Sequence, residues 1–189
     1  MSKNVYPTNF KESDIKYFYG FSHDTPLIAK FIEVESNDRY LREINIYTES
    51  ATPDSEFELI LQEPDKDGQP GNLFFDGEIK GIANKGRCNT KIDISNLKLK
   101  FPENGLFIVF QWLVVEVNKS EFNYHKGKDT EKRYIYDTIE PSVGAYPTDE
   151  NSGWIFGNHG WEKVKKIELK ILSKYTDKFA VPAIRLVLS

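Results

Sequence analysis

The residue types best suited to gripping a ligand crowd into Ser-Gly-Trp-Ile-Phe-Gly-Asn-His-Gly-Trp at 152–161. Trp154 and Trp161 stand seven positions apart, with Asn158 and His159 between them. Indole faces offer a large contact area at low entropy cost, and an amide or imidazole can fix the orientation of hydroxyl groups. Trp154, Asn158, His159 and Trp161 are therefore the candidate binding site, for a sugar ring or another flat ligand. A second reading stays open: the two tryptophans plug the open end of the fold.

Catalytic constellations are weaker. Three histidines occur, His23, His125 and His159, none of them inside a nucleophile signature, and no Gly-x-Ser-x-Gly elbow is present. Ser22-His23-Asp24 has the residue types of a triad, but sequence neighbours do not normally face one another as nucleophile, base and orienting acid. Carboxylates that could cleave glycosidic bonds, such as Glu58, Glu78 and Glu116, are numerous because acids are numerous. Asp65-Lys-Asp67-Gly68 resembles the start of a calcium loop, yet the sixth position is Pro70 where that loop needs glycine. A tight turn explains Asp, Gly and Pro there. Phosphate-cradling glycine motifs are absent. The expectation is a protein without catalytic residues, metal or cofactor.

Composition narrows the class further. Lys and Arg number 25 against 29 Asp and Glu, a net charge of −4, which argues against a protein built to neutralise nucleic-acid phosphates. Lys163, Lys165, Lys166, Lys170 and Lys174 form a local basic cluster, read as a solvated face. The single cysteine, Cys88, excludes an internal disulfide framework. Among 189 residues, 26 are Phe, Trp or Tyr, so the chain has ample means to build a core. Charges run through residues 1–20 with no apolar signal-peptide stretch, and no apolar run approaches the roughly 20 residues of a membrane span. Read at face value, this predicts a cytoplasmic protein. A domain cut from a secreted precursor with a start codon added would look the same, since Met1 is the sole methionine.

The elements that must position these residues are strands. Residues 56–62 put Phe57, Leu59 and Leu61 on one face; residues 87–94 and 97–101 alternate in the same way. Further strands are predicted over 27–34, 40–48, 133–139 and 183–188. Residues 106–117 are apolar on both faces, which predicts a central strand whose second face is covered by loops or an extra segment. Residues 118–132 and 140–160 read as long loops, and 11–18 as a short helix capped by Ser13 or Asp14. Residues 162–172 fit both helix and strand periods, with strand favoured.

Three stretches share an order with a known family: Asp67-Gly-Gln-Pro-Gly-Asn-Leu73, Thr90-Lys-Ile-Asp-Ile-Ser95 and Phe101-Pro-Glu-Asn-Gly-Leu-Phe-Ile-Val-Phe-Gln-Trp-Leu113. With Gly160-Trp161-Glu-Lys163 and Ala183-Ile-Arg-Leu-Val187, they resemble a β-sandwich module of bacterial cell-envelope proteins, often found C-terminal to a carboxypeptidase-regulatory-like domain. That pattern carries a tryptophan before its VDLS-like strand, where Arg87 or Cys88 stands here, and an EW pair that is Gln111-Trp112 here. The resemblance covers about residues 27–189. It implies an antiparallel jelly-roll-like β-sandwich and an accessory envelope domain, with glycan or an envelope protein as partner and no catalytic residues to carry over. The expected organisation is an N-terminal extension, 1–20, and one all-β domain, 21–189. The alternative function is an assembly domain working through protein contacts alone.

Overall fold

Residues 10–35, 38–125, 133–168 and 170–189 are described by the computed structural model, and their period-two segments are strands. In chain order these are β1 (Tyr17–Tyr19), β2 (Leu27–Ile32), β3 (Leu41–Ser50), β4 (Ser55–Pro64), β5 (Pro70–Leu73), β6 (Ile79–Ala83), β7 (Gly86–Asp93), β8 (Leu106–Trp112), β9 (Lys119–His125), β10 (Arg133–Ile139), β11 (Ser142–Thr148), β12 (Gly153–Gly157), β13 (Gly160–Lys163), β14 (Phe179–Pro182) and β15 (Ile184–Leu188). One sheet runs β1-β11-β3-β15, with β14 beside β11 and β7 beside β3; the other runs β13-β12-β2-β8-β4-β5, with β6 beside β4. β9 and β10 form a two-stranded ribbon of their own. The pairings within both sheets are antiparallel.

The core lies between the two sheets. Ile28, Ile32, Leu59, Leu61, Ile108 and Phe110 come from the seven-stranded sheet, and Leu41, Ile44, Ile46, Val143, Leu186 and Leu188 from the six-stranded one. The alternation at 56–62 thus decides which face is inside: Phe57, Leu59 and Leu61 are buried and their neighbours are not. Phe57 stacks on Phe110 at 4.6 Å, and Phe110 meets Trp112 edge-on at 4.9 Å. Burying each such ring contributes about 1.5–3 kcal/mol. The Trp112 indole Nε1 donates to the Pro141 carbonyl at 2.6 Å, so this ring keeps its polar contact inside the core.

Several expectations are corrected. Residues 97–101 are not a strand: a 3₁₀ turn spans Ser95–Leu97, Lys98 follows at φ 51°, and the only ladder contact is the single bridge of Lys100 to Tyr40. The Asp93 carboxylate, accepting from the Ser95 amide at 2.9 Å, fixes this turn, while Leu97, Leu99 and Phe101 still pack on the core. Their alternation reports burial at the sandwich end rather than pairing. Instead of a helix, residues 11–18 contain a 3₁₀ turn over Glu12–Asp14, where the Asp14 carboxylate accepts from the Lys11 amide, followed by β1. Phe10 is buried against Tyr47 and Ala183 on the six-stranded sheet.

Where they are described, the two predicted loops are largely strand. Residues 119–125 pair along their length with β10, and 126–132 lie outside the described residues. Residues 140–160 hold β11 and β12. Their glycines had read as turn signals, but Gly144 sits inside β11 because a Cβ there would lie 2.9 Å from the Tyr47 ring. At 162–172 neither predicted element forms: β13 stops at Lys163, one bridge joins Lys166 to Phe179, and a kinked 3₁₀ segment covers Lys170–Tyr175. Residue 169 lies outside the described residues.

β8 is central, as its two-faced apolarity predicts, between β2 and β4. It ends at Trp112, and Val114, Val115 and Val117 beyond it are exposed. Among the described residues, the cover on its second face comes from side chains of neighbouring strands rather than from a loop.

Candidate functional site

β2 alternates Ile28, Lys30 and Ile32 toward the core with Leu27, Ala29 and Phe31 outward. The same alternation in β8 and β12 turns Phe107, Val109 and Gln111, and Trp154 and Phe156, outward. Register then lines these residues up across the strands. One row reads Lys163, Trp154, Ala29, Val109, Ile60. The next reads Trp161, Phe156, Leu27, Gln111, Glu58, Lys80. A third reads Phe31, Phe107, Gln62, Leu73.

Together they form an apolar and aromatic field on the outer face of the seven-stranded sheet. Ala29, Phe107, Val109 and Trp154 are its buried members, with Leu27, Phe31, Ile60 and Trp161 packed on them. All eight stand on strands of this one sheet. Phe107 is covered by Phe31 at 4.7 Å and by Trp154, edge-on, at 5.8 Å. The half-buried pair Phe156 and Trp161 meets edge-on at 5.3 Å. Polar groups bound the field: Gln111, Glu58 and Lys80 on one side, and Gln62, whose Nε2 donates to the Gly71 carbonyl. Lys163 lies over the Trp154 ring, its Nζ 5.5 Å from the centroid.

The four sequence-predicted residues divide within this setting. Trp154 is 8% exposed and works as packing beneath the field. Trp161 presents part of its ring at the field's edge. Asn158 and His159 are exposed at the tip of the β12–β13 hairpin, between paired Gly157 and Gly160. Gly160 closes that turn at φ +96°, backbone that glycine adopts without strain. Local sequence thus puts all four on one hairpin. Leu27, Phe31, Phe156 and Gln111 share the same face and were missed as site residues. The signal that could have found them is the two-faced apolarity of 27–32 and 106–112, which marks a sheet apolar on both sides.

The other candidates are occupied structurally. Ser22 Oγ accepts from the Asp24 amide at 3.3 Å, and the His23 ring stands edge-on to Phe21 at 4.9 Å. Asp65 Oδ1 accepts from the amides of Asp67 and Gln69 at 2.8 and 2.9 Å, so the carboxylate shapes its own turn. Among the described residues no group of three or more His, Cys, Asp or Glu is arranged to hold a metal ion, and no helix is long and apolar enough to cross a membrane.

The sequence matches no protein-family model and no curated protein. Among solved structures, the clostridial cysteine protease Cwp84 after propeptide cleavage superposes with a TM-score of 0.50 at 12% identity, over 96% of this chain and 41% of that one. The cysteine protease and lectin-like domains of Cwp84, a surface layer associated protein of Clostridium difficile, give a TM-score of 0.49 at 11% identity, over 96% and 37%. This chain therefore spans about two fifths of the structures it resembles. The first likeness is one of fold alone.

Proposed function

We propose that the chain is a non-catalytic accessory domain of the bacterial cell envelope that binds glycan on the outer face of its seven-stranded sheet. One observation carries this reading: an aromatic and apolar field, built from five strands and edged by amide, carboxylate and ammonium groups, has no second layer among the described residues that pack on it. Pyranose rings pair an apolar face with a rim of hydroxyls, the complement of such a field. Asn158 and His159, projecting beside Trp161, add polar groups for those hydroxyls. The envelope assignment rests on the resemblance of the sequence motifs to envelope β-sandwich modules. The engagement of Ser22 and His23 in local contacts supports the non-catalytic part.

The test is an intrinsic-fluorescence titration of the full chain against a panel of soluble polysaccharides, repeated with Trp161→Ala. Trp161 is the variant of choice because its loss leaves the buried layer under the field in place. A saturable shift in the wild type that is lost in the folded variant is expected. No response across the panel, or binding that persists in Trp161→Ala, overturns the assignment; the first outcome would favour an assembly domain acting through protein contacts.

A further inference from the structure

The two sheets each end in a short strand, β1 in one and β13 in the other. Between these edges lies a cleft of about 300 Å³, within the low end of the range for small-molecule sites. It is separate from the aromatic field. Ile155 and Glu162, paired in register, line it from the opposite face of the β12–β13 hairpin to the one carrying Trp154, Phe156 and Trp161.

Its floor is apolar: Ile155, Val164, Ile167 and Ala180. Tyr17 and Tyr19 form one wall, edge to face at 4.9 Å, and the Tyr19 hydroxyl donates to the Ala180 carbonyl at 2.6 Å, which locks that ring. Glu162, Lys165, Lys166 and Glu168 line the rest. Among the described residues none of these four pairs with an opposite charge; Lys166 instead lies over the Phe179 ring, 5.9 Å from its centroid.

We propose that this cleft binds a small zwitterionic peptide, an apolar side chain on the floor with a free ammonium and a free carboxylate answering the glutamates and lysines around it. A ligand with a single sign of charge would be repelled by half of these groups. All four are exposed, so an uncharged apolar ligand would draw nothing from them. A ligand carrying both charges meets a complement for each.

The test is calorimetric titration of the full chain with the dipeptide Ala-Leu, with its N-acetyl form and with its C-terminal amide. The free dipeptide should bind saturably, and capping either end should weaken it about tenfold, the loss expected for one charge-assisted hydrogen bond. Glu162→Gln, on an exposed position, should weaken the free dipeptide by a similar factor and leave the N-acetyl form unchanged. Trp161→Ala should leave dipeptide binding unaltered, which separates this site from the glycan face. The proposal is overturned by absence of saturable heat at millimolar dipeptide, by equal binding of the capped forms, or by wild-type affinity in both Glu162→Gln and Glu168→Gln.

Discussion

Lys30 offers the sharpest test of how the sandwich is held together. It is 1% exposed, between the sheets, and donates to the Tyr146 hydroxyl at 2.8 Å and the Ile184 carbonyl at 2.9 Å. The rings of Phe10 and Tyr146 lie 5.6 and 4.9 Å from its Nζ. Burial away from water, with the Arg185 guanidinium adding repulsion, lowers its pKa from 10.5 to about 7. The unfolded chain holds this proton to far higher pH than the folded one. Stability should therefore rise with pH above about 7, by up to about 1.4 kcal/mol per pH unit. Between pH 7 and 9.5 the gain is about 3 kcal/mol. Tyr146, pushed up to about 12 by its own burial, and Tyr19, pushed higher still, do not titrate in that window. Lys30→Met keeps the stem and removes the charge. It gives up two hydrogen bonds, about 1 kcal/mol each, against a charge-burial cost of about 5 kcal/mol that the wild type carries below pH 7. The variant should be the more stable protein at pH 6, by about 2–3 kcal/mol, and should lack the rise above pH 7. Urea unfolding at pH 6, 7, 8 and 9.5 measures both. A wild-type midpoint that stays flat over this range, or a variant less stable at pH 6, would refute the argument that Lys30 is a desolvated cation.

Two further outcomes bear on the frame around the proposed sites. Asn118 is fully buried; its side chain accepts from the Glu56 amide and donates to the Glu56 and Leu113 carbonyls, each at 2.7 Å, so Asn118→Ala should lower unfolding free energy by about 3 kcal/mol in urea titration. Gly144→Ala places a methyl 2.9 Å from the Tyr47 ring and 3.1 Å from Ile15, and should lower it by about 1–3 kcal/mol, with a wild-type midpoint counting against the close packing of β11 under these side chains.

The strands were legible wherever one face is wet. Residues 56–62 and 87–94 alternate because one side meets the core and the other water, and both became β4 and β7. Legibility failed where that contrast weakens. β11 carries Gly144 where it packs closely under Tyr47, and Pro147 three residues on, so it reads like a loop. β9 forms with β10 a ribbon apart from the two sheets, and its polar sequence, running on into 126–132, reads like a loop. At 97–101 the reverse happened: leucines spaced for burial at a sandwich end imitate a strand. For the site, the hairpin bearing Trp154, Asn158, His159 and Trp161 was visible because it is contiguous. The remainder of the field was not, because Leu27, Phe31 and Gln111 reach it only through inter-strand register, which no local pattern encodes.

β2 shows why binding and stability can separate in this protein. Its inward residues Ile28, Lys30 and Ile32 hold the two sheets together, through apolar contact and the Lys30 hydrogen bonds to β11 and β15. Its outward residues Leu27, Ala29 and Phe31 underlie the aromatic field. A strand has only two faces, so a change on the outward one leaves the inter-sheet contacts intact, while a shift of register by one residue would exchange them all. That exchange would set Lys30 among the aromatics and press Ala29 into the core, where a side chain that small leaves a void. The inward set therefore pins the register, and the pinned register assembles the field from residues far apart in sequence. It follows that Lys30→Met, which alters the interior without altering register, should leave the Trp161-dependent fluorescence response unchanged even as it shifts the unfolding midpoint. Loss of that response in a folded Lys30→Met protein would show that the interior and the outer face are coupled by more than strand register.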